Sequence, residues 1–313
     1  MESSLTERIK QKAIDLGFSK VGVARAETLS SEGARLHQWL SHGYHASLHW
    51  MEREAAKRTD PSLVLPNVQS VLSVAMNYYT PAQHSNDAAS GKISRYAWGE
   101  DYHDILTQKL EKLDDYVMTQ IPDLQTKIYV DTGPVMDKAW AVLAGIGWLG
   151  KHTNVIIPEL GSWVFLGEIL LNAELEYDEP IPDHCGTCTA CLDACPTGAI
   201  IESYVVDSNK CISYLTIEHR SDLPPELTRN FHNWVYGCDI CQDVCPWNRF
   251  QKETKEKAFQ PRAENLGPKL VELAKITQEE FSRRFKNSPI KRTKLSGLVR
   301  NAKALLESHL TSS

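Results

Sequence analysis

Apolar residues in the first 175 positions follow two alternating periods. Leu5 to Leu16 repeats them at helical spacing until Gly17 ends the run, and Lys20 to Ala24 then reads as a short strand. A second helix is expected over Ser31 to His42. Val68 to Tyr79, rich in Val, Met and Tyr, reads as a buried strand, whereas Ile105, Leu106, Leu110, Leu113, Val117 and Ile121 fall on one face of a long helix. Lys127 to Asp131 reads as another strand and Met136 to Ala144 as another helix. This interleaving predicts an α+β chain whose N-terminal α/β domain, residues 1–175, is built on a central sheet. The stretch EYDEPIP, Glu176 to Pro182, reads as a linker into a turn-rich, cysteine-bearing domain over 176–255. Helical patterning returns over 256–313, where Thr277 and Glu280 form a capping box ahead of Phe281 and Phe285.

The 313 residues, 42% hydrophobic and 24% charged, are an ordinary globular balance. The polar start Met1 to Lys10 carries no apolar signal region. The longest apolar stretch, Trp163 to Leu171, is interrupted by Gly167 and Glu168, so neither a signal peptide nor a membrane span is expected and a cytoplasmic protein is. Charge is uneven. Phe281 to Lys303 holds eight basic residues and no acid, leaving about −14 for the rest of a chain whose net charge is −6. A basic edge on an acidic protein suits a polyanionic partner; a solvated helix end explains the same charges equally well.

All eight cysteines fall between Cys185 and Cys245. Cys185, Cys188, Cys191 and Cys195 with Pro196 spell C-x-x-C-x-x-C-x-x-x-C-P, the run with which bacterial ferredoxins wrap a cubane cluster. Cys211 stands alone, and Cys238, Cys241 and Cys245 with Pro246 make a second run. In two-cluster proteins the fourth cysteine of a run serves the other cluster. Crossed pairing then puts one 4Fe–4S cluster on Cys185, Cys188, Cys191 and Cys245, and a second on Cys195, Cys211, Cys238 and Cys241. Zinc is the alternative, since paired C-x-x-C units also build zinc ribbons, but zinc explains neither the third cysteine nor the two Cys-Pro steps.

Other catalytic signatures are sparse: there is no nucleophile elbow, Walker loop or HExxH pair. Gly145, Gly147 and Gly150 match G-x-G-x-x-G but follow a helix instead of a strand, so they are expected to make a tight turn that admits a large flat ligand. Asp131, just before Thr132-Gly133-Pro134, is either a turn former or a general acid. Asp137 and Lys138 read as a helix-surface pair, and His103 and His152 as lone imidazoles. Trp98, Trp140, Trp148 and Trp163 are assigned to core packing, with a wall for a planar cofactor as the alternative.

Several segments together resemble the epoxyqueuosine reductases, cobalamin-dependent iron–sulfur enzymes that complete queuosine biosynthesis in tRNA. They are Lys57-Arg58-Thr59-Asp60-Pro61, Ser94 to Gly99 with Asp101-Tyr102-His103, Val130 to Pro134, Gly147 to Lys151, and Cys211 to Glu218. Their order, combined with the eight cysteines, makes the resemblance specific. It implies a cobalamin-binding N-terminal domain beside the ferredoxin-like domain, and reduction of the epoxide of epoxyqueuosine to the cyclopentene of queuosine. Two clusters would pass electrons singly to cobalt, fed by a donor outside the chain.

By the same resemblance Asp131 corresponds to the family's proton donor, with a pKa expected to be raised by burial. Arg58, Tyr96, Asp131, His152, Ser213 and Asp239 correspond to cobalamin contacts. No D-x-H-x-x-G element is present, because Leu106 follows Asp101 and His103 where glycine is needed, so histidine is not expected as the lower cobalt ligand. The basic segment becomes a tRNA contact through Lys291, Arg292, Lys294 and Arg300. The protein is expected to act as a monomer. Many relatives continue into a C-terminal helical-repeat extension beyond the stretch resembling Ser288 to Leu305, whereas this sequence stops at Ser313. The rival readings are a reductive dehalogenase-like cobalamin enzyme, disfavoured by the missing export signal, and a plain two-cluster electron carrier, which would bind no cobalt.

Overall fold

The computed structural model describes residues 3–311. At its centre is a four-stranded antiparallel sheet in the order Lys20–Arg25, Ser70–Asn77, Val164–Leu171, Thr126–Tyr129. Successive side chains on a strand point to opposite faces, so the two central strands feed two cores. Leu72, Val74, Met76, Ile169 and Leu171 pack under the helices Leu5–Asp15 and Tyr102–Gln120, while Val71, Ala75 and Leu170 pack under the helix Asp137–Leu143. Burial from both sides covers all eight residues of Ser70–Asn77, which is why that segment reads as one apolar run without alternation. All the strand pairings in this sheet are antiparallel, so the arrangement is α+β and contains no βαβ crossover.

A third core crosses the expected domain boundaries. Ile93, Ala97 and Trp98 meet Ile212, Leu215, Phe231 and Trp234 from the cysteine-rich region and Phe281, Phe285, Leu298, Ala302 and Leu305 from the C-terminal segment. A short parallel pairing of Lys92–Ile93 with Trp234–Tyr236 ties the same parts together. The stretch 256–311 is therefore no mere tail. Its last helix, Lys294–Thr311, buries one face, and the expected capping box closes at Thr277 and Glu280. The linker has no regular structure but is pinned along the sheet edge: Asp178 accepts from the Val23 amide at 2.8 Å and pairs with Lys10 at 2.6 Å.

Two local expectations are corrected and a third holds. The strand ends at Tyr129, and Asp131 lies beyond it at φ 58°, a left-handed conformation that places its carboxylate on a loop. The G-x-G-x-x-G glycines admit the chain itself and no ligand. A Cβ on Gly145 would come 2.6 Å from the Glu179 carbonyl oxygen, and one on Gly147 would come 2.2 Å from that of Ile156. Lastly, Trp98, Trp140, Trp148 and Trp163 are fully buried and none lines the main cavity, in keeping with the core-packing assignment. Among the described residues no helix is long and apolar enough to cross a membrane.

Candidate active site

Where the sheet meets the cysteine-rich region, a cavity of about 470 Å³ opens. Its N-terminal wall includes Tyr96, Tyr102, Asp131, Asp137, Lys138 and His152; its far wall includes Cys195, Cys211, Ser213, Cys238 and Cys241. That volume lies in the range of cofactor and ligand sites.

Asp131 is held by its neighbours. The Tyr102 hydroxyl donates to Asp131 Oδ2 at 2.6 Å and His103 Nε2 lies 3.4 Å from the same oxygen. His103 Nδ1 is fixed by Asp101 Oδ1 at 2.7 Å, and Asp101 also caps the helix that carries both rings. Tyr102 stacks on Phe165 with ring centroids 4.2 Å apart. Burial alone would raise the Asp131 pKa, but the neighbouring His103 and the hydrogen bond from Tyr102 outweigh it and the net shift is downward. The expected raised pKa is thereby corrected. Burial would likewise lower His103, yet Asp101 and Asp131 raise it to about 9. The proton of this pair therefore rests on the imidazole at neutral pH.

Behind Asp131 lies a second acidic group. Asp137 Oδ1 accepts from the Asp131 amide at 3.3 Å and adjoins Glu168, which sits in the middle of the central strand with no exposed surface. Burial, then the charge of Asp137, pushes Glu168 well above the ordinary carboxylate range. Lys138 stands beside Asp131 and Asp137 on the same wall, where burial lowers its pKa against the pull of both acids. Asp137 and Lys138 thus line the cavity, Lys138 with the exposed position that their spacing predicts and Asp137 half-buried.

The sulfurs gather in two sets. Cys191 is adjoined by Cys245, Cys185 and Cys188, and Cys245 by Cys185 and Cys188. Cys211 is adjoined by Cys195, and Cys238 by Cys241 and Cys211; Cys241 neighbours Cys211, Cys195 and also Cys191 of the first set. Burial, reinforced by neighbouring thiols, raises the pKa values of Cys191, Cys211 and Cys241, so a bound metal is what would hold them as thiolates. This donor set fits two iron–sulfur clusters. The cavity beside the second set fits a large polar-edged cofactor: His152 is 3% exposed, and its Nε2 has no partner among the described residues. Burial lowers the His152 pKa to about 4, leaving a neutral imidazole.

Of the residues expected to touch cobalamin, Tyr96, Asp131, His152 and Ser213 line the cavity. Two do not. Arg58 reaches over the Asp131 loop and donates to the Gly133 carbonyl at 3.3 Å, so its guanidinium braces that loop. The Asp239 carboxylate is buried, accepting from the Ser94 hydroxyl and from the Arg95 amide at 2.8 Å, so it fastens the second cysteine run to the 94–97 turn. The basic segment also divides. Arg300 donates to the carbonyls of His219, Ser221 and Leu215, which close the end of the helix Ile212–Ile217, and so has no fork to offer a phosphate. Arg292 pairs with Glu218 at 2.7 Å, whereas Lys291 and Lys294 are exposed.

Tyr102, His103, Asp137, Lys138 and Glu168 are the site residues that pattern reading misses. Tyr102 and His103 lay in one of the family-like segments without a role attached, and Glu168 carried a signal as a lone acid inside the eight-residue strand VFLGEILL.

The family described as "Epoxyqueuosine reductase QueG, DUF1730" matches residues 58–132, and the "4Fe-4S double cluster binding domain" matches 184–248. The epoxyqueuosine reductase of Synechocystis sp. is 52% identical over 90% of this chain and 98% of its own length. That of Cellulophaga algicola is 44% identical over 95% of this chain and 96% of its own. A crystal structure of an epoxyqueuosine reductase with an epoxyqueuosine-modified tRNA-Tyr stem loop superposes with TM-score 0.91 at 36% identity, covering 96% of this chain and 80% of that one. The Bacillus subtilis enzyme, solved with its catalytic aspartate loop swung out of the active site, gives TM-score 0.88 at 34% identity, covering 96% of this chain and 81% of that one. At this identity and coverage, the chain belongs to the epoxyqueuosine reductase family.

Proposed function

We propose that the cavity is where this chain reduces the epoxide of epoxyqueuosine in tRNA to the alkene of queuosine, with Asp131 as the group that protonates the departing oxygen. The observation that carries this reading is the placement of Asp131, with its Tyr102 and His103 partners, across the cavity from Cys195, Cys211, Cys238 and Cys241. Cys185, Cys188, Cys191 and Cys245 would hold the outer 4Fe–4S cluster; Cys195, Cys211, Cys238 and Cys241 would hold the inner one. Cys188 is exposed, so electrons from an external donor would enter at the outer cluster. Tyr96, His152 and Ser213 would hold cobalamin, whose cobalt, when bound, supplies a low-potential reductant for the substrate. The chain's own residues keep bulk water from the buried end of the cavity and store protons beside it. His103 orients Asp131 and holds its proton, while Arg58 braces the loop. No domain boundary at 175 or 255 is needed for this division of labour.

Lys291 and Lys294 are proposed as phosphate contacts, with Arg292 able to exchange Glu218 for a phosphate. The chain would act as a monomer on tRNA, in a compartment where tRNA is modified. The test is deoxygenation of epoxyqueuosine tRNA by cobalamin-loaded, reduced protein, read as loss of one oxygen from the released nucleoside. Unchanged epoxyqueuosine alongside reducible clusters would sink the reading. In the same assay KM should rise with salt, and Lys291→Ala should lower the slope of log affinity against log salt by about one. Arg300→Ala should leave that slope unchanged and lower the melting temperature instead, because it strips three carbonyls of their donor.

A further inference from the structure

Removing an epoxide oxygen as water breaks both carbon–oxygen bonds, forms the carbon–carbon double bond and consumes two electrons and two protons. The clusters account for the electrons. Asp131 and His103 share a single proton between them at neutral pH, so the second must come from elsewhere.

One cluster of acids is unused by the reaction as described. Glu168 lies at the centre of the strand Val164–Leu171, on the face that packs under the helix Asp137–Leu143, and has no exposed surface. Neither of its carboxylate oxygens has a donor among the described residues. Its register partner Ser73 on the neighbouring strand has an equally unpartnered buried hydroxyl. Among the described residues no cation faces Glu168: the charged groups that bear on it are Asp137 and Asp131. Asp137, which adjoins it, lines the cavity, receives the Asp131 amide, and faces Arg58 and Lys138. A buried carboxyl with no donor and no counter-charge, pressed against a second carboxyl, is stable only when the two share a proton.

Resting on the function proposed above, we infer that the Asp137–Glu168 pair stores the second proton of the reaction and passes it from Asp137 into the cavity beside Asp131. Asp137 is the transferring group and Glu168 acts through it, as a reservoir. The oxygen takes one proton from the His103–Asp131 pair and one from the Asp137–Glu168 pair, and leaves as water; the two pairs recharge from solvent between turnovers. Around the pairs stand Tyr96, Tyr102, Asp101, Arg58, Lys138 and Arg292, each of which biases the charge at Asp131 or Asp137.

The experiment is Glu168→Gln in the holoenzyme, which keeps the shape of the side chain but removes its acid. Infrared spectra of the resting protein at neutral pH should show a protonated-carboxyl stretch that is missing from the variant. Turnover on epoxyqueuosine tRNA should lose kcat by about a hundredfold with KM unchanged, and Glu168→Asp should recover part of it. Should Glu168→Gln fail to fold, Asp137→Asn carries the same kcat signature. Parent and variant with the same infrared spectrum, or a Glu168→Gln enzyme as fast as its parent, would overturn the inference. A parent that leaves epoxyqueuosine intact while showing the band would overturn the proposed function and leave the reservoir standing.

Discussion

Asp131→Asn is expected to lower kcat on epoxyqueuosine tRNA by about a thousandfold while iron, cobalt and KM stay as in the parent. The amide preserves the volume of the carboxylate and can still accept from Tyr102, but it can no longer relay the His103 proton to an oxygen in the cavity. His103 loses one of the two acids that raise its pKa to about 9 and should titrate closer to its ordinary 6.5. In the parent, activity should accordingly hold through neutral pH and fall as pH rises through about 9, where the pair loses its proton. Stability follows the same sign: the folded pKa of His103 is raised, so its contribution is complete below 6.5 and is lost as pH climbs through 9. Full activity in Asp131→Asn would remove the aspartate from the reaction.

Cys238→Ser should abolish turnover outright. Cys238 belongs to the set that lines the cavity, and Cys241 of that set also borders Cys191 of the outer one, so the inner cluster is the step between outer cluster and cavity. Replacing one of four thiolates with a poor ligand should cost that cluster alone, with iron dropping from about eight to about four per chain. The outer set, Cys185, Cys188, Cys191 and Cys245, keeps all four of its thiolates and should still take up iron. The readouts are iron content, the visible absorption of the remaining cluster, and zero deoxygenation. A variant that keeps both its iron and its activity would show that the inner cluster lies off the path.

The cysteines were legible because their chemistry is written in local spacing: three thiolates on one turn can reach one cube, and the Cys-Pro steps mark the crossover. The sheet was legible for a related reason, since a strand buried on both faces, such as Ser70–Asn77, leaves an uninterrupted apolar run. What stayed hidden depends on contacts distant in sequence. His103 meets Asp131 28 residues further on, and Asp137 meets Glu168 from another element, so no spacing rule relates them. The spacing of Asp137 and Lys138 suggested a helix surface because it carries no trace of the cavity into which the first turn of that helix opens. Charge counting misjudged Arg300 in the same way: a guanidinium saturated by three carbonyls looks identical in sequence to one waiting for phosphate. Composition located the basic segment, but packing decided that its last helix belongs to the core.

The most direct test of the account is the metal content of protein purified without oxygen after growth with cobalamin. The prediction is about eight irons, as two 4Fe–4S clusters on the eight cysteines, and about one cobalt per chain. Iron without cobalt would contradict it and leave an electron carrier whose cavity serves some other ligand.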